Sequence, residues 1–262
     1  MTEEATVVPF PGIDNRQIVA FGGGGFSMEA GNPLLDEYVM DLARERRERP
    51  RVCFLPTASG DADHYIVRFY RHFHGGICEP SHISLFRRDR GAADLRAHLL
   101  SQDLIYVGGG SVLSLLGAWR AHGIDQMLAD AWRSGVILCG LSAGSLCWYA
   151  QGVTSFHGEA KRVRGLGLLP WSNCVRYGTK QGRKDVYHEA LRSGMCPGYA
   201  AEDGAALHFR GARLVEAVAS RLGAQAWCVG DGGEEIIETA LPTRFLGEAE
   251  AEGAPADLQV VA

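Results

Sequence analysis

Short, continuously apolar runs alternate along the first half of the chain with longer stretches whose apolar residues recur every three or four positions. QIVAF (17–21), RVCFLP (51–56), HISLF (82–86), DLIYVG (103–108) and VILCGL (136–141) form the first set. Apolar at consecutive positions, they suit strands of a parallel sheet that is covered on both faces. The second set predicts helices over 34–47, 65–73 and 113–135. This β-α-β-α order predicts an α/β fold with a doubly wound, mostly parallel sheet. After residue 144 the pattern loosens into mixed loop and helix over 157–200, with one helical stretch, VYHEALRSG, at 186–194. ALHFRGARLVEAVAS (206–220) and AQAWCVGDGGEEIIETA (224–240) alternate with turn signals, as a small antiparallel C-terminal extension would. The expected organisation is a flexible arm at 1–16, a single α/β domain over 17–247 and a disordered Ala/Glu/Pro-rich tail at 248–262.

Glycine makes up 34 of the 262 residues, about twice its usual share, and it clusters at 22–25, 108–110, 140–144 and 230–233. The first three clusters each follow an apolar run, where α/β proteins turn sharply at the end of a strand. The third reads Gly140-Leu141-Ser142-Ala143-Gly144, a G-x-S-x-G pattern between the strand VILC and an apolar SLCWYA. That setting is the one a nucleophile elbow needs: glycines permit the tight turn, and small Ala143 leaves the Ser142 hydroxyl accessible. The turn at 108–110 follows a neighbouring strand. The N–H groups of Gly109 or Gly110, with that of Ala143, are candidates for holding a developing oxyanion. GGGGFSME (22–29) has the glycines of a phosphate-cradling loop but lacks the Lys-Ser/Thr spacing of a P-loop.

Charge narrows the partners. With 26 Lys+Arg against 31 Asp+Glu the net charge is −5, which argues against nucleic acid or an anionic membrane. No apolar run reaches the roughly 18 residues of a membrane span, and the acidic, proline-broken start is unlike a signal peptide. Seven cysteines, an odd number without CxxC spacing, read as thiols of a reducing, cytoplasmic setting, with Cys53, Cys139 and Cys228 expected to be buried. No metal and no cofactor are expected, since His72 and His74 alone make a poor ligand set.

The stretches IVAFGGGG, RVCFLPTASGD, DLIYVGGG, ILCGLSAGSLCW, GLGLLP and GYAAEDGAALHF run from residue 17 to about 240. Together they resemble the peptidase E (aspartyl dipeptidase) and cyanophycinase family of serine peptidases. The resemblance implies a class I glutamine-amidotransferase-like (flavodoxin-like) fold and a Ser-His-acid site. It puts Ser142 on the nucleophile, Gly109 or Gly110 with Ala143 on the oxyanion hole, and Asp203 on the acid that orients the histidine. In three places the chain departs from the family. Where the family has a histidine followed by an aromatic, this chain reads Val175-Arg176-Tyr177. Ser111 stands in place of an asparagine after the three glycines, and VTSFHG (153–158) lacks the acid after its threonine.

Arginine stays protonated at any working pH, so Arg176 cannot take the serine proton. It is suited to binding a substrate carboxylate, stabilising an oxyanion or pairing with Asp203. His157, fifteen residues after Ser142, is the candidate replacement base, while His188 and His208 read as structural. Lys161, Arg162, Arg164, Lys180, Arg183 and Lys184 read as solvated faces. Two functions follow as expectations. One is a serine hydrolase, dipeptidase-like, cleaving small peptides after an N-terminal acidic residue. The other is a catalytically impaired relative that binds a small peptide or acidic ligand. The partner in either case is a small peptide, and homo-oligomerisation stays open.

Overall fold

The computed structural model describes residues 14–86, 94–178 and 182–248. The expected arm and tail therefore lie almost entirely outside the described residues. The first half alternates β1 (Gln17–Phe21), α1 (Leu34–Arg44), β2 (Arg51–Leu55), α2 (Asp63–His72), β3 (Glu79–His82), α3 (Leu95–Leu100) and β4 (Leu104–Val107). It continues through α4 (Val112–His122), α5 (Ile124–Arg133), β5 (Ile137–Leu141) and the single turn α6 (Ala143–Leu146). The stretch expected as one helix over 113–135 is thus two, broken at Gly123. That residue takes φ 69°, a left-handed conformation that ends one helix and starts the next. The strand expected at 82–86 falls earlier, on polar Glu79–His82. It pairs with β2 alone, at the sheet edge, where Pro80 is tolerated.

The second half is richer in strands than its pattern suggests. It contains β6 (Tyr149–Thr154), β7 (Lys161–Val163), β8 (Leu169–Val175), α7 (Arg183–Arg192), β9 (Gly198–Ala201), β10 (Ala205–Arg210) and β11 (Arg213–Ala219), then β12 (Ala226–Asp231), β13 (Ile236–Ala240) and β14 (Thr243–Phe245). Two sheets result: an eight-stranded one in the order β14-β11-β10-β1-β5-β4-β2-β3, and a six-stranded one in the order β13-β12-β9-β8-β6-β7. The expected C-terminal extension is therefore divided. β10 and β11 continue the main sheet antiparallel to β1, whereas β12 and β13 belong to the second sheet.

Five adjacent strands of the main sheet, β1, β5, β4, β2 and the edge strand β3, are parallel, and alternate side chains enter opposite faces. Ile18, Leu55, Val107 and Leu138 pack with Leu115, Trp119 and Leu128 of α4 and α5. The same cluster takes in Tyr149, Leu169 and Val175 of the second sheet, so the two sheets share one core. On the other face Val19, Phe21, Phe54 and Tyr106 meet Val39 of α1 and Phe69 of α2. Phe54 stacks on Phe69 at 4.9 Å between ring centroids and is fully buried. Phe54→Ala should lower unfolding stability by about 3–5 kcal/mol, read from a denaturant midpoint, because neighbouring rings cannot close the space. A shift below about 1 kcal/mol would mean that this aromatic cluster collapses freely.

His208 and His188 are held within the scaffold. His208 lies between the Tyr38 hydroxyl at 2.6 Å and Gln17 Oε1 at 2.9 Å. Burial pushes its imidazole from 6.5 down to about 4. Between those values the unfolded chain binds the proton and the folded chain does not, so stability falls as pH drops from about 6.5 towards 4. His208→Gln should flatten that part of the stability–pH curve, and an unchanged slope in urea titrations would contradict the assignment. His188 Nε2 meets the Tyr177 hydroxyl at 2.8 Å and Glu238 at 3.2 Å.

Candidate active site

Ser142 leaves β5 in a conformation that L-residues avoid, φ 52° and ψ −108°, before the chain enters α6. Both flanking glycines are sterically required. A Cβ on Gly144 would fall on the Val107 carbonyl, and one on Gly140 would meet the carbonyls of Gly144 and Val107. The Ser142 hydroxyl makes no hydrogen bond among the described residues. Since α6 is one turn long, it offers unpaired N–H groups beside the serine but little macrodipole.

The turn after β4 runs alongside. Val107 is in register with Gly140, and a Cβ built on Gly109 would lie 3.6 Å from Ser142 Cβ. The Gly109 N–H, one of the two expected oxyanion donors, donates to the Tyr65 hydroxyl at 3.2 Å, which in turn donates to Ser27 Oγ at 2.7 Å. Gly110, at φ 141°, is the other; it packs so closely on the Ala58 carbonyl that no side chain fits. The TASG turn after β2 thereby sets the position of the donor loop. Neither Tyr65 nor this turn carries a motif that marks its role, although RVCFLPTASGD is one of the stretches that carry the family resemblance.

On the other side of Ser142, the glycines at 22–25 serve close packing. Gly23 bridges to Asp203, and a Cβ there would strike the Asp203 carboxylate. Asp203 is buried, and Arg176 Nε lies 3.2 Å from its Oδ1. Of the three roles open to Arg176, the geometry displays the pairing with Asp203. Arg176 itself has φ 56°, at the end of β8. Arg183 supports this corner by donating to the Val175 carbonyl at 3.0 Å and to Ser155 Oγ at 2.7 Å. It is buried, contrary to the expectation of a solvated face. Lys184 pairs with Glu238 at 2.8 Å.

His157 is engaged by Ser111, with Nε2 2.6 Å from Oγ. Ser111 Oγ already accepts from the Ser114 N–H at 3.1 Å and from the Ser114 hydroxyl at 2.9 Å. Its own proton therefore points at Nε2, which accepts it. The sequence departure at Ser111 and the candidate base thus meet each other directly after the turn at 108–110.

The thiols nearest the elbow in sequence are poor nucleophiles. Cys139 and Cys147 are fully buried, and burial holds both far above the ordinary thiol range. Cys228, expected to be buried, is exposed because it points outward from β12. Among the described residues no group of three or more His, Cys, Asp or Glu side chains is placed to hold a metal ion. No helix among them is long and apolar enough to cross a membrane.

The chain is similar to proteins named as peptidases. Over residues 18–217 the chain matches the model of Peptidase family S51. It is 46% identical over 233 residues to a protein of Bacillus subtilis (strain 168) named "Uncharacterized peptidase YgaJ", a match spanning 88% of this chain and all of that one. Its fold is similar to that of a crystallised peptidase from an acI-B1 Actinobacterium, with TM-score 0.61 and 16% identity over 85% of this chain and 96% of the other. A putative peptidase E protein from Listeria monocytogenes EGD-e gives TM-score 0.52 and 15% identity, covering 86% of this chain and 98% of that one. At such identities the two structures speak for the fold, whereas the family match and the Bacillus relative reach further. They place the chain in peptidase family S51, a family of serine peptidases.

Proposed function

We propose that the protein hydrolyses small peptides by nucleophilic attack of Ser142, with specificity for an acidic residue on the N-terminal side of the scissile bond. The observation that carries this reading is the Ser142 backbone. A non-glycine residue at φ 52° and ψ −108° costs about 1–3 kcal/mol, and its hydroxyl makes no hydrogen bond among the described residues. Strain of that kind persists where it presents a nucleophile. Ser142 Oγ forms the bond to the peptide carbonyl carbon, and the carbonyl oxygen becomes an oxyanion. The N–H groups of Gly110 and Ala143 hold it, joined by that of Gly109 if Tyr65 gives way.

The serine proton goes to His157, which exchanges its bond to Ser111 for the nucleophile and passes the proton to the departing amine. Water then releases the acyl group from Ser142. Arg176, half exposed beside Asp203, offers a guanidinium to the acidic side chain of the substrate.

A second reading, a peptide-binding relative with impaired turnover, is favoured by one specific contact. Asp203, the residue expected to orient a histidine, holds Arg176 instead. Incubating the protein with a panel of Asp-X dipeptides, followed by mass spectrometry, separates the two. Release of free aspartate supports the peptidase. Saturable binding without release supports the second reading.

A further inference from the structure

We infer that the cavity between the turn after β2 and the exposed face of α4 receives an apolar, preferably aromatic, side chain of the peptide on the side of the scissile bond remote from Arg176. The inference rests on the peptidase reading and adds a substrate preference to it. The cavity measures about 660 Å³, and its walls include Ala58, Ser111, Gly117, Ala121, Phe86 and Phe156.

Its place follows from the strand order. β10 and β1, whose ends lead to Asp203 and Gly23, lie on one side of β5, while β4 and β2, which lead to Ser111 and Ala58, lie on the other. Ser142 stands between the two. Adjacent strands are about 4.8 Å apart, so the cavity begins within one or two strand spacings of the nucleophile. The site thus has a charged pole at Arg176–Asp203 and an apolar pole across the serine.

Three features give the apolar pole its chemistry. Among the described residues no lysine or arginine lines it, and the ionisable side chains of its wall are His122 and His157. Part of its polar wall is paired within the fold, the Ser111 hydroxyl with His157 Nε2 at 2.6 Å. Its aromatic edges are held outward: Phe86 is 54% and Phe156 57% exposed. The buried Asp61 accepts the N–H groups of both Leu85 at 2.6 Å and Phe86 at 2.7 Å, which fixes Phe86 at the rim.

Gly117 supplies an independent sign. It sits in the middle of α4, where glycine costs about 1 kcal/mol relative to alanine. Neither close packing nor a positive φ requires it, for a Cβ at that position would meet nothing within 4 Å. What its missing side chain preserves is the volume of the cavity.

The test uses the full-length protein and two dipeptides, Asp-Phe and Asp-Gly. The expected result is a kcat/KM for Asp-Phe at least about 10-fold above that for Asp-Gly, the range an apolar pocket supplies. Gly117→Leu fills the cavity from a position that clashes with nothing and strengthens the helix. It should erase the preference by raising KM for Asp-Phe more than for Asp-Gly. Phe156→Ala, at an exposed position, should reduce the preference part of the way.

If no dipeptide is cleaved, the same comparison is made calorimetrically on Ser142→Ala. Tighter binding of Asp-Phe that Gly117→Leu removes would uphold the pocket although the peptidase reading had failed. Equal kcat/KM for the two dipeptides with Ser142-dependent cleavage would overturn the pocket and leave the peptidase standing. Equal or undetectable binding of both in the calorimeter also overturns the pocket.

Discussion

Arg176→His raises the rate of dipeptide hydrolysis by up to about 10²-fold, because a histidine fixed by Asp203 takes over from His157, which has to leave Ser111 before it can act as base. The expectation follows from what surrounds residue 176. Its side chain already reaches Asp203, at 3.2 Å, and Asp203 is buried and lodged against Gly23. An imidazole in place of the guanidinium would have a carboxylate ready to fix its tautomer and stabilise its protonated form. The signature is a new ascending limb in the pH–rate profile near the ordinary histidine value of about 6.5, because only the neutral imidazole accepts the serine proton. Adding Asp203→Asn to Arg176→His should take most of the gain away. A flat profile with no gain would mean that residue 176 does not face the nucleophile and that His157 remains the base.

Much of this architecture can be read from residue patterns, and the limits have physical causes. β1, β2, β4 and β5 are buried on both faces, so their apolar runs stand out. β3 lies at the edge and needs no such run, which is why Glu79–His82 gives no signal and the apolar stretch after it misleads. The second sheet hides for another reason. Its strands bury polar side chains such as Ser172 and Asn173, with Ser172 Oγ bonded to the Tyr187 hydroxyl of α7 at 2.7 Å, and this breaks the apolar pattern.

At the site, the elbow is a local motif and is legible. Its two glycines and serine fall within five consecutive residues, and the strained backbone is that of Ser142 itself. The partners of the donor turn are not, because Tyr65 reaches Gly109 from a helix 44 residues away and His157 reaches Ser111 across 46. Nothing in the spacing of those residues encodes the meeting, which depends on how β6 and α2 are carried past the carboxyl ends of β4 and β5. The pairing of Arg176 with Asp203 was one of three options open to an arginine at that position; choosing among them needed the bridge that brings residues 23 and 203 together.

Ser142→Ala is the change with the largest expected effect in the other direction. Alanine keeps the elbow's volume and leaves no hydrogen bond broken, because the hydroxyl has none among the described residues. Folding and peptide binding should therefore stay close to wild type, while cleavage falls by about 10³-fold or more, to what the oxyanion donors alone provide. The loss should appear in kcat, with KM little changed, since the serine acts in bond formation and not in holding the ground state.

The most direct measurement is the release of aspartate from the Asp-X panel, followed by mass spectrometry for wild type and Ser142→Ala side by side. Cleavage by the wild type that disappears in Ser142→Ala, with the variant's thermal stability unchanged, is the predicted result. Equal cleavage by the two proteins would contradict the assignment of Ser142 as nucleophile.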